Sequence, residues 1–249
     1  MRLFWHEIKG NQVLFWRSRE LAFFTFLLPI LFLILLGSTY GSDTIEGVKG
    51  SRYLLAGLLG YGAAATVFAG LSIVTVVRRE DGILKRLRGT PLPPWTYLTA
   101  VLASTLAVYA LEAIAMIALG RVMFGIPWPH RILSLLLILL LGGLTFASLG
   151  LAATAAVRTA EGASAVINAI YLPMAFVSGS FFSPHSFPRF LQGLADVLPL
   201  TYLIRLLRDV QLHGADIWMR PGSVAVLLAW AAIGLIVAVR AFRWEPSEG

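Results

Sequence analysis

Residues 78–96 read RREDGILKRLRGTPLPPWT, and this run fixes how the rest of the chain is placed. It holds Arg78, Arg79, Lys85, Arg86 and Arg88 against only Glu80 and Asp81, with long apolar segments on both sides. Lys and Arg beside membrane-span ends are retained on the cytoplasmic side, so the run is expected on the cytoplasmic surface between two spans. Its spacing predicts a short amphipathic helix. Ile83, Leu84 and Leu87 fall on one face, Lys85, Arg86 and Arg88 point elsewhere, and Gly89 ends it. Asp81 stands four residues before Lys85, the favourable order for an ion pair along a helix. Pro91, Pro93 and Pro94 then forbid helix until about Trp95. A charged, capped surface helix between two spans is a place where a soluble partner can push. The plain alternative is a positive anchor that only sets topology.

The composition gives the same solvent. Of 249 residues, 58% are hydrophobic and 13% charged, against about one quarter charged in soluble domains, so an integral membrane protein is expected. The net charge of +7 comes from basic residues set between apolar runs, where anionic headgroups and topology account for them. Nucleic-acid binding is therefore not expected. The absence of cysteine excludes disulfides, thiolate metal sites and cysteine nucleophiles. His6, His130, His185 and His213 are too scattered for a local metal-ligand spacing, and no metal site is expected.

Outward from the basic run, residues 1–20 carry Phe4, Trp5, Ile8, Phe15 and Trp16 at helical spacing among Arg2, Lys9, Arg17 and Arg19. That mixture suits a cytoplasmic helix lying in the interface plane. Six spans are expected, at residues 21–38, 53–77, 97–119, 132–157, 162–179 and 221–239, each near the roughly 20 residues needed to cross the hydrocarbon. Residues 39–52 and 120–131 read as external loops. Residues 180–220 are apolar yet repeatedly broken by proline, and irregular backbone at membrane depth is tolerated only where protein or a water-filled cavity covers it. One or two short re-entrant helices are expected there on the outer side, followed by an amphipathic helix over 203–212 bearing Arg205 and Arg208. The inside segments hold twelve Lys and Arg and the outside eight. Half of the eight lie in the long segment after span five, which counts weakly, so both termini are expected in the cytoplasm. The fold class is all-α, one polytopic transmembrane domain.

Few residues suggest chemistry. Glu112 is the one ionisable side chain well inside an expected span, where it is expensive and by default suggests function. It either lines a substrate or ion path or makes an interhelical hydrogen bond, for instance to an amide such as Asn168, which has the same two readings. The functional reading would make the chain an ion-coupled secondary transporter or channel. Neither a charged partner in another span nor an inverted repeat accompanies it. Ser178, Ser180 and Ser183 near His185 suggest a serine nucleophile, but no carboxylate is close in sequence. There is no phosphate-cradling GxxxxGK[ST] loop, so ATP hydrolysis by that route is not expected of this chain.

Two stretches resemble a known family. Residues 80–93, Glu80-Asp81-Gly82-Ile83-Leu84-Lys85-Arg86-Leu87-Arg88-Gly89-Thr90-Pro91-Leu92-Pro93, resemble the loop between spans two and three of ABC-2 type membrane subunits of ATP-binding-cassette exporters. These occur in daunorubicin-resistance-like and other drug, antibiotic, lipid or polysaccharide efflux systems. The second is residues 173–208, with Ser178-Gly179-Ser180-Phe181-Phe182-Ser183-Pro184, Phe187-Pro188, Leu198-Pro199-Leu200-Thr201-Tyr202 and Arg205. The resemblance implies a type V exporter fold in a bacterial plasma (inner) membrane. Residues 78–96 would carry a coupling helix, with Glu80 to Leu84, Arg86 to Pro91 docking on a separate ATPase subunit present in two copies. ATP and Mg would be bound by that partner, and no cofactor by this chain. A second copy, or a homologous permease, would complete a central path. Ser178, Gly179, Phe181, Phe182, Pro184, Phe187 and Pro188 would belong to external re-entrant helices that close its outer end.

Overall fold

The computed structural model describes residues 2–40, 43–89, 93–157 and 159–241. Thr90, Pro91 and the Arg88 side chain lie outside what is described. Among the described residues six helical segments are long and apolar enough to cross a membrane: Arg19–Tyr40, Gly50–Glu80, Trp95–Phe124, Ile132–Ala153, Ala160–Val177 and Pro221–Ala241. Hydrocarbon offers no partner for backbone N–H and C=O groups, so an apolar run of this length satisfies them internally as helix. The chain is an all-α polytopic membrane protein.

Helix α1 (Arg2–Arg17) leads through Ser18 into α2 (Arg19–Tyr40). The second crossing is composite: α3 (Gly50–Gly62), a π-helical stretch Ala63–Gly70, and α4 (Leu71–Glu80). Gly82, with φ of 70°, makes the left-handed turn that glycine adopts without a Cβ clash, and α5 (Ile83–Arg88) follows. Next come α6 (Pro94–Phe124), which opens on a proline whose missing N–H costs nothing there, and α7 (Ile132–Ala153). Helix α8 (Ala160–Val177) is capped by Thr159, whose side chain accepts from the Gly162 amide. Helices α9 (Arg189–Ala195) and α10 (Pro199–His213) meet at 82°, and α11 (Pro221–Ala241) ends the described chain.

The second crossing is the centre of the bundle, 89% buried where the first and last are 17% buried. Its small residues permit this. A Cβ on Gly57 would stand 2.2 Å from the Ser180 carbonyl oxygen, and one on Gly60 2.5 Å from the Ile204 side chain. The first, backbone against backbone, is open to glycine alone, and the second leaves the Ile204 side chain the space a Cβ would take.

Several boundaries differ from the sequence expectations, for identifiable reasons. The second crossing runs from 50 to 80 rather than 53 to 77, so Arg78, Arg79 and Glu80 belong to the spanning helix. Asp81 is the C-cap of α4, placing it on a different helix from Lys85. The expected i,i+4 ion pair gives way to a turn in which Arg86 Nη2 lies 3.4 Å from the Asp81 carbonyl oxygen. Helix α7 stops at Ala153, and residues 154–156 form a turn. The loop at 39–52 contains an antiparallel hairpin, β1 (Thr44–Ile45) with β2 (Val48–Lys49). It turns on Glu46 (φ 49°) and Gly47 (φ 80°), two left-handed residues of the kind that match strand twist in a two-residue hairpin. Helix α10 begins at 199 rather than 203 and is a core element, with Leu200, Leu203, Ile204 and Leu207 inaccessible.

The bundle thus has a basic end, bearing the part of α1 around Asn11, the α4–α5 turn and the α7–α8 turn, and a hairpin end, bearing the β-hairpin and residues 178–220.

Candidate functional site

At the basic end, three consecutive side chains tie α4 to its neighbours. Arg78 Nη1 donates to Asn11 Oδ1 at 2.7 Å and to the Tyr97 hydroxyl at 2.9 Å, joining α1 and α6. Arg79, 2% exposed, donates from Nη1 to the Thr154 carbonyl at 3.1 Å and from Nη2 to the Val157 carbonyl at 2.5 Å. Glu80 Oε2 accepts from the Ala160 amide at the N-terminus of α8, where negative charge also meets the positive end of the helix dipole. Hence the middle of α1 and the ends of α4, α6, α7 and α8 form one hydrogen-bonded cluster. The sequence reading of Arg78 and Arg79 as topological charges missed it. Their place directly ahead of a carboxylate at a helix end was the available signal.

Helix α5 hangs from this cluster. Leu84 is fully buried and Leu87 half-buried, but Ile83 is exposed with Asp81, Lys85, Arg86 and Gly89. The expected apolar trio therefore splits. A six-residue helix spans fewer than two turns, and its inward face has room for Leu84 and part of Leu87 only. What α5 offers outward is charge plus Ile83.

Beside the cluster lies a cavity of about 570 Å³. Its wall draws on α1 (Asn11, Phe15), α2 (Thr25, Pro29), the second crossing (Tyr61, Thr66, Arg78), α5 (Ile83), α6 (Ser104, Val108) and α8 (Asn168, Tyr171). The lining is mostly apolar with a few polar groups, the pattern of a small-molecule site. Gln12 anchors α1 along this wall by donating to the Ser104 carbonyl at 2.8 Å and hydroxyl at 3.1 Å.

Toward the hairpin end the cavity meets an aromatic cluster. The Phe181 ring is buried with its centroid 5.0 Å from Phe32, 5.1 Å from Phe176 and 5.4 Å from Tyr61, and Tyr61 lies 6.3 Å from Tyr171. Each such pair is worth about 0.5–1.5 kcal/mol beyond area burial. Of the residues assigned to an external gate, Phe181 alone enters this cluster. Phe182 and Pro188 are exposed and Phe187 half-exposed. Gly179 (φ 90°) turns the chain against Pro184, and Ser178 is buried.

Glu112 is 3% exposed, and its Oε2 accepts from Thr66 Oγ1 at 2.6 Å. Thr66 sits on the π-helical stretch and lines the cavity, so Glu112 stands behind the wall. Gly62 makes room for it, since a Cβ there would lie 2.8 Å from Glu112 Oε1. The amide of Asn168 is not its partner. It donates to Ser164 Oγ on its own helix at 3.3 Å and lines the cavity separately. The hairpin brings Glu46 to the serine and histidine group, a carboxylate that sequence proximity did not reveal. Ser183 Oγ donates to Glu46, and His185 Nε2 lies 4.0 Å from the same carboxylate. Among the described residues no hydrogen bond joins the imidazole to a serine hydroxyl, as a general base requires. Nor is there a cluster of three metal-ligating side chains among them.

Comparison with known proteins fits this architecture. The ABC-2 type transporter family model matches residues 2–212. The chain is 26% identical over 204 residues to the linearmycin resistance permease protein LnrN of Bacillus subtilis (strain 168), covering 81% of this chain and 50% of that one. It is 26% identical over 253 residues to Nodulation protein J of Rhizobium leguminosarum bv. viciae, covering 96% of this chain and 93% of that one. With the probable multidrug ABC transporter permease YbhR of Escherichia coli (strain K12) it shares 24% identity over 178 residues, 70% of this chain and 48% of that one. The chain thus spans about half the length of LnrN and of YbhR and nearly all of Nodulation protein J. Six membrane-crossing helices and a family match over residues 2–212 lead to one conclusion: the chain belongs to the ABC-2 type transporter family, the transport permease subunits of ABC transporters.

Proposed function

We propose that this chain is the membrane-spanning subunit of an ATP-driven exporter in a bacterial inner membrane, moving an amphiphilic drug, antibiotic or lipid. The cavity carries the reading: a mostly apolar chamber of about 570 Å³ between the hydrogen-bonded basic end and the aromatic cluster around Phe181. A separate ATPase, two copies per transporter, docks on the exposed charges of Asp81, Lys85 and Arg86 and on the segment through Thr90 and Pro91. Two permease copies, or this chain and a homologous one, face each other across the path. Both termini and α5 lie in the cytoplasm. ATP-driven closure of the ATPase pair pushes α5. Arg78, Arg79 and Glu80 pass the displacement to α1, α6, the α7–α8 turn and α8, so that the helices walling the cavity move together. Substrate enters past α1 and leaves when the Phe181 cluster parts. Glu112, set behind Thr66, supports the second crossing rather than touching substrate.

The cysteine-free sequence gives a direct test. Single cysteines replacing Thr25 or Ile73, both in the cavity wall, are labelled with a membrane-permeant maleimide in the assembled transporter. Labelling is expected without nucleotide and is expected to fall severalfold when ATP is trapped by vanadate or when substrate is present. Equal labelling in all states would overturn the assignment of the cavity to the transport path.

A further inference from the structure

A second cavity, of about 430 Å³, lies at the hairpin end and is separate from the chamber above. Three buried polar atoms on its lining residues have no hydrogen-bond partner: Ser178 Oγ, Thr201 Oγ1 and Arg208 Nε. Ser178 and Thr201 are each 1% exposed. Thr201, Arg205 and Arg208 recur at i, i+4 and i+7 along α10, one stripe of the helix, and all three line the cavity.

The charges around it are settled, with one exception. Arg205 pairs with Asp196 at 2.5 Å and Arg220 with Asp209 at 2.9 Å, while His213 lies 3.6 Å from Asp209. Glu46 accepts from the Tyr53 hydroxyl at 3.1 Å and from Ser183, with His185 at 4.0 Å. Arg208 has no carboxylate partner among the described residues. Its guanidinium lies 3.6 Å over the Tyr53 ring, and Nη2 donates to the Gly179 carbonyl at 2.5 Å. The cation is thus held in place with a donor unused. A buried donor left unmade is costly. Here the three residues that carry that cost, Ser178, Thr201 and Arg208, all line one cavity.

From this we infer that the cavity is a binding site for a phosphate oxyanion, carried by a lipid headgroup or as free phosphate. Phosphate offers at least three acceptor oxygens to the three waiting donors, and a guanidinium is the side chain suited to it. The carboxylates that would repel an anion, Glu46 and Asp209, are both occupied by neighbouring donors. The inference is independent of the exporter reading.

The test uses the full chain in phospholipid-free detergent. The thermal unfolding midpoint is followed while titrating inorganic phosphate, or dihexanoyl phosphatidylglycerol below its micelle-forming concentration, against sodium chloride at equal ionic strength. Both ligands are expected to raise the midpoint beyond chloride if free phosphate is the source. Only the lipid does so if a headgroup is. Thr201→Val removes a hydroxyl that makes no internal hydrogen bond, and is expected to weaken binding about tenfold or more, the loss of one charge-assisted hydrogen bond. Arg208→Gln is expected to abolish it, and should that variant not fold, Thr201→Val carries the decision. Midpoints that respond to neither ligand beyond chloride, or wild-type affinity in Thr201→Val, would overturn the inference.

Discussion

Arg79→Met probes the cluster from which α5 hangs. The replacement keeps an unbranched apolar stem in a site that is 2% exposed but removes both donors, leaving the Thr154 and Val157 carbonyls without the bonds at 3.1 and 2.5 Å. Hydrogen bonds from a charged donor contribute about 1.5–3 kcal/mol each, so about 3–6 kcal/mol is at stake. Sparing the guanidinium its desolvation offsets part of this, and a net loss of about 2–4 kcal/mol is expected. Arg79→Lys, a point charge rather than a fork, reaches one carbonyl at best and should lose roughly half as much. Equilibrium unfolding in mixed micelles measures both values. Hydrogen exchange should quicken around residues 154–160 in Arg79→Met and not at the hairpin end. Stability within about 0.5 kcal/mol of wild type, the ordinary range for an inconsequential surface change, would refute the claim that Arg79 joins α4 to the α7–α8 turn.

Gly57→Ala sets a Cβ 2.2 Å from the Ser180 carbonyl oxygen and should cost about 1–3 kcal/mol as an overpacked core does. Gly193→Ala on α9, which meets nothing within 4 Å, should be neutral or stabilise by up to about 1 kcal/mol. Both are read by thermal unfolding in detergent. Glu112→Gln retains an acceptor for the Thr66 hydroxyl, so unfolding free energy within about 1 kcal/mol of wild type and unchanged ATP-driven transport are expected. Abolished transport in a folded Glu112→Gln protein would favour an ion-coupled carrier. Paired Lys85→Glu and Arg86→Glu, both exposed, should leave stability within about 0.5 kcal/mol while ATPase association, measured by co-purification, is lost.

The crossings were legible because hydropathy over about 20 residues and proline placement are both local properties. Residues whose role depends on a partner distant in sequence were not. Topology rules tell which side Arg78 and Arg79 occupy but not that Arg79 is inaccessible, because its acceptors come from residues 154 and 157. Leu84→Asp, which on an amphipathic surface helix would test docking, instead tests the core, since Leu84 is fully buried. The hairpin escaped because its turn puts Glu46 at positive φ, where asparagine or glycine is the usual signal. Over 203–212 the sequence reads as a short amphipathic helix bearing Arg205 and Arg208, which does not tell that its start at Pro199 and most of its length are core. Arg208 is accommodated by the Tyr53 ring and the Gly179 carbonyl, neither of which spacing can announce. The cavity draws its wall from α1, α2, the second crossing, α5, α6 and α8, and no single stretch of sequence contains it.

The central claim is that a separate ATPase drives this chain through α5. With no native cysteine, Lys85→Cys can carry a unique photo-cross-linker in native membranes, followed by purification in mild detergent and assay for ATP hydrolysis. One cross-linked product containing a nucleotide-hydrolysing subunit is expected, lost when the probe sits at the hairpin end, for example at His185→Cys. A chain that purifies alone, with no ATP-hydrolysing partner captured at position 85 and transport undiminished by ATP depletion, would contradict that claim.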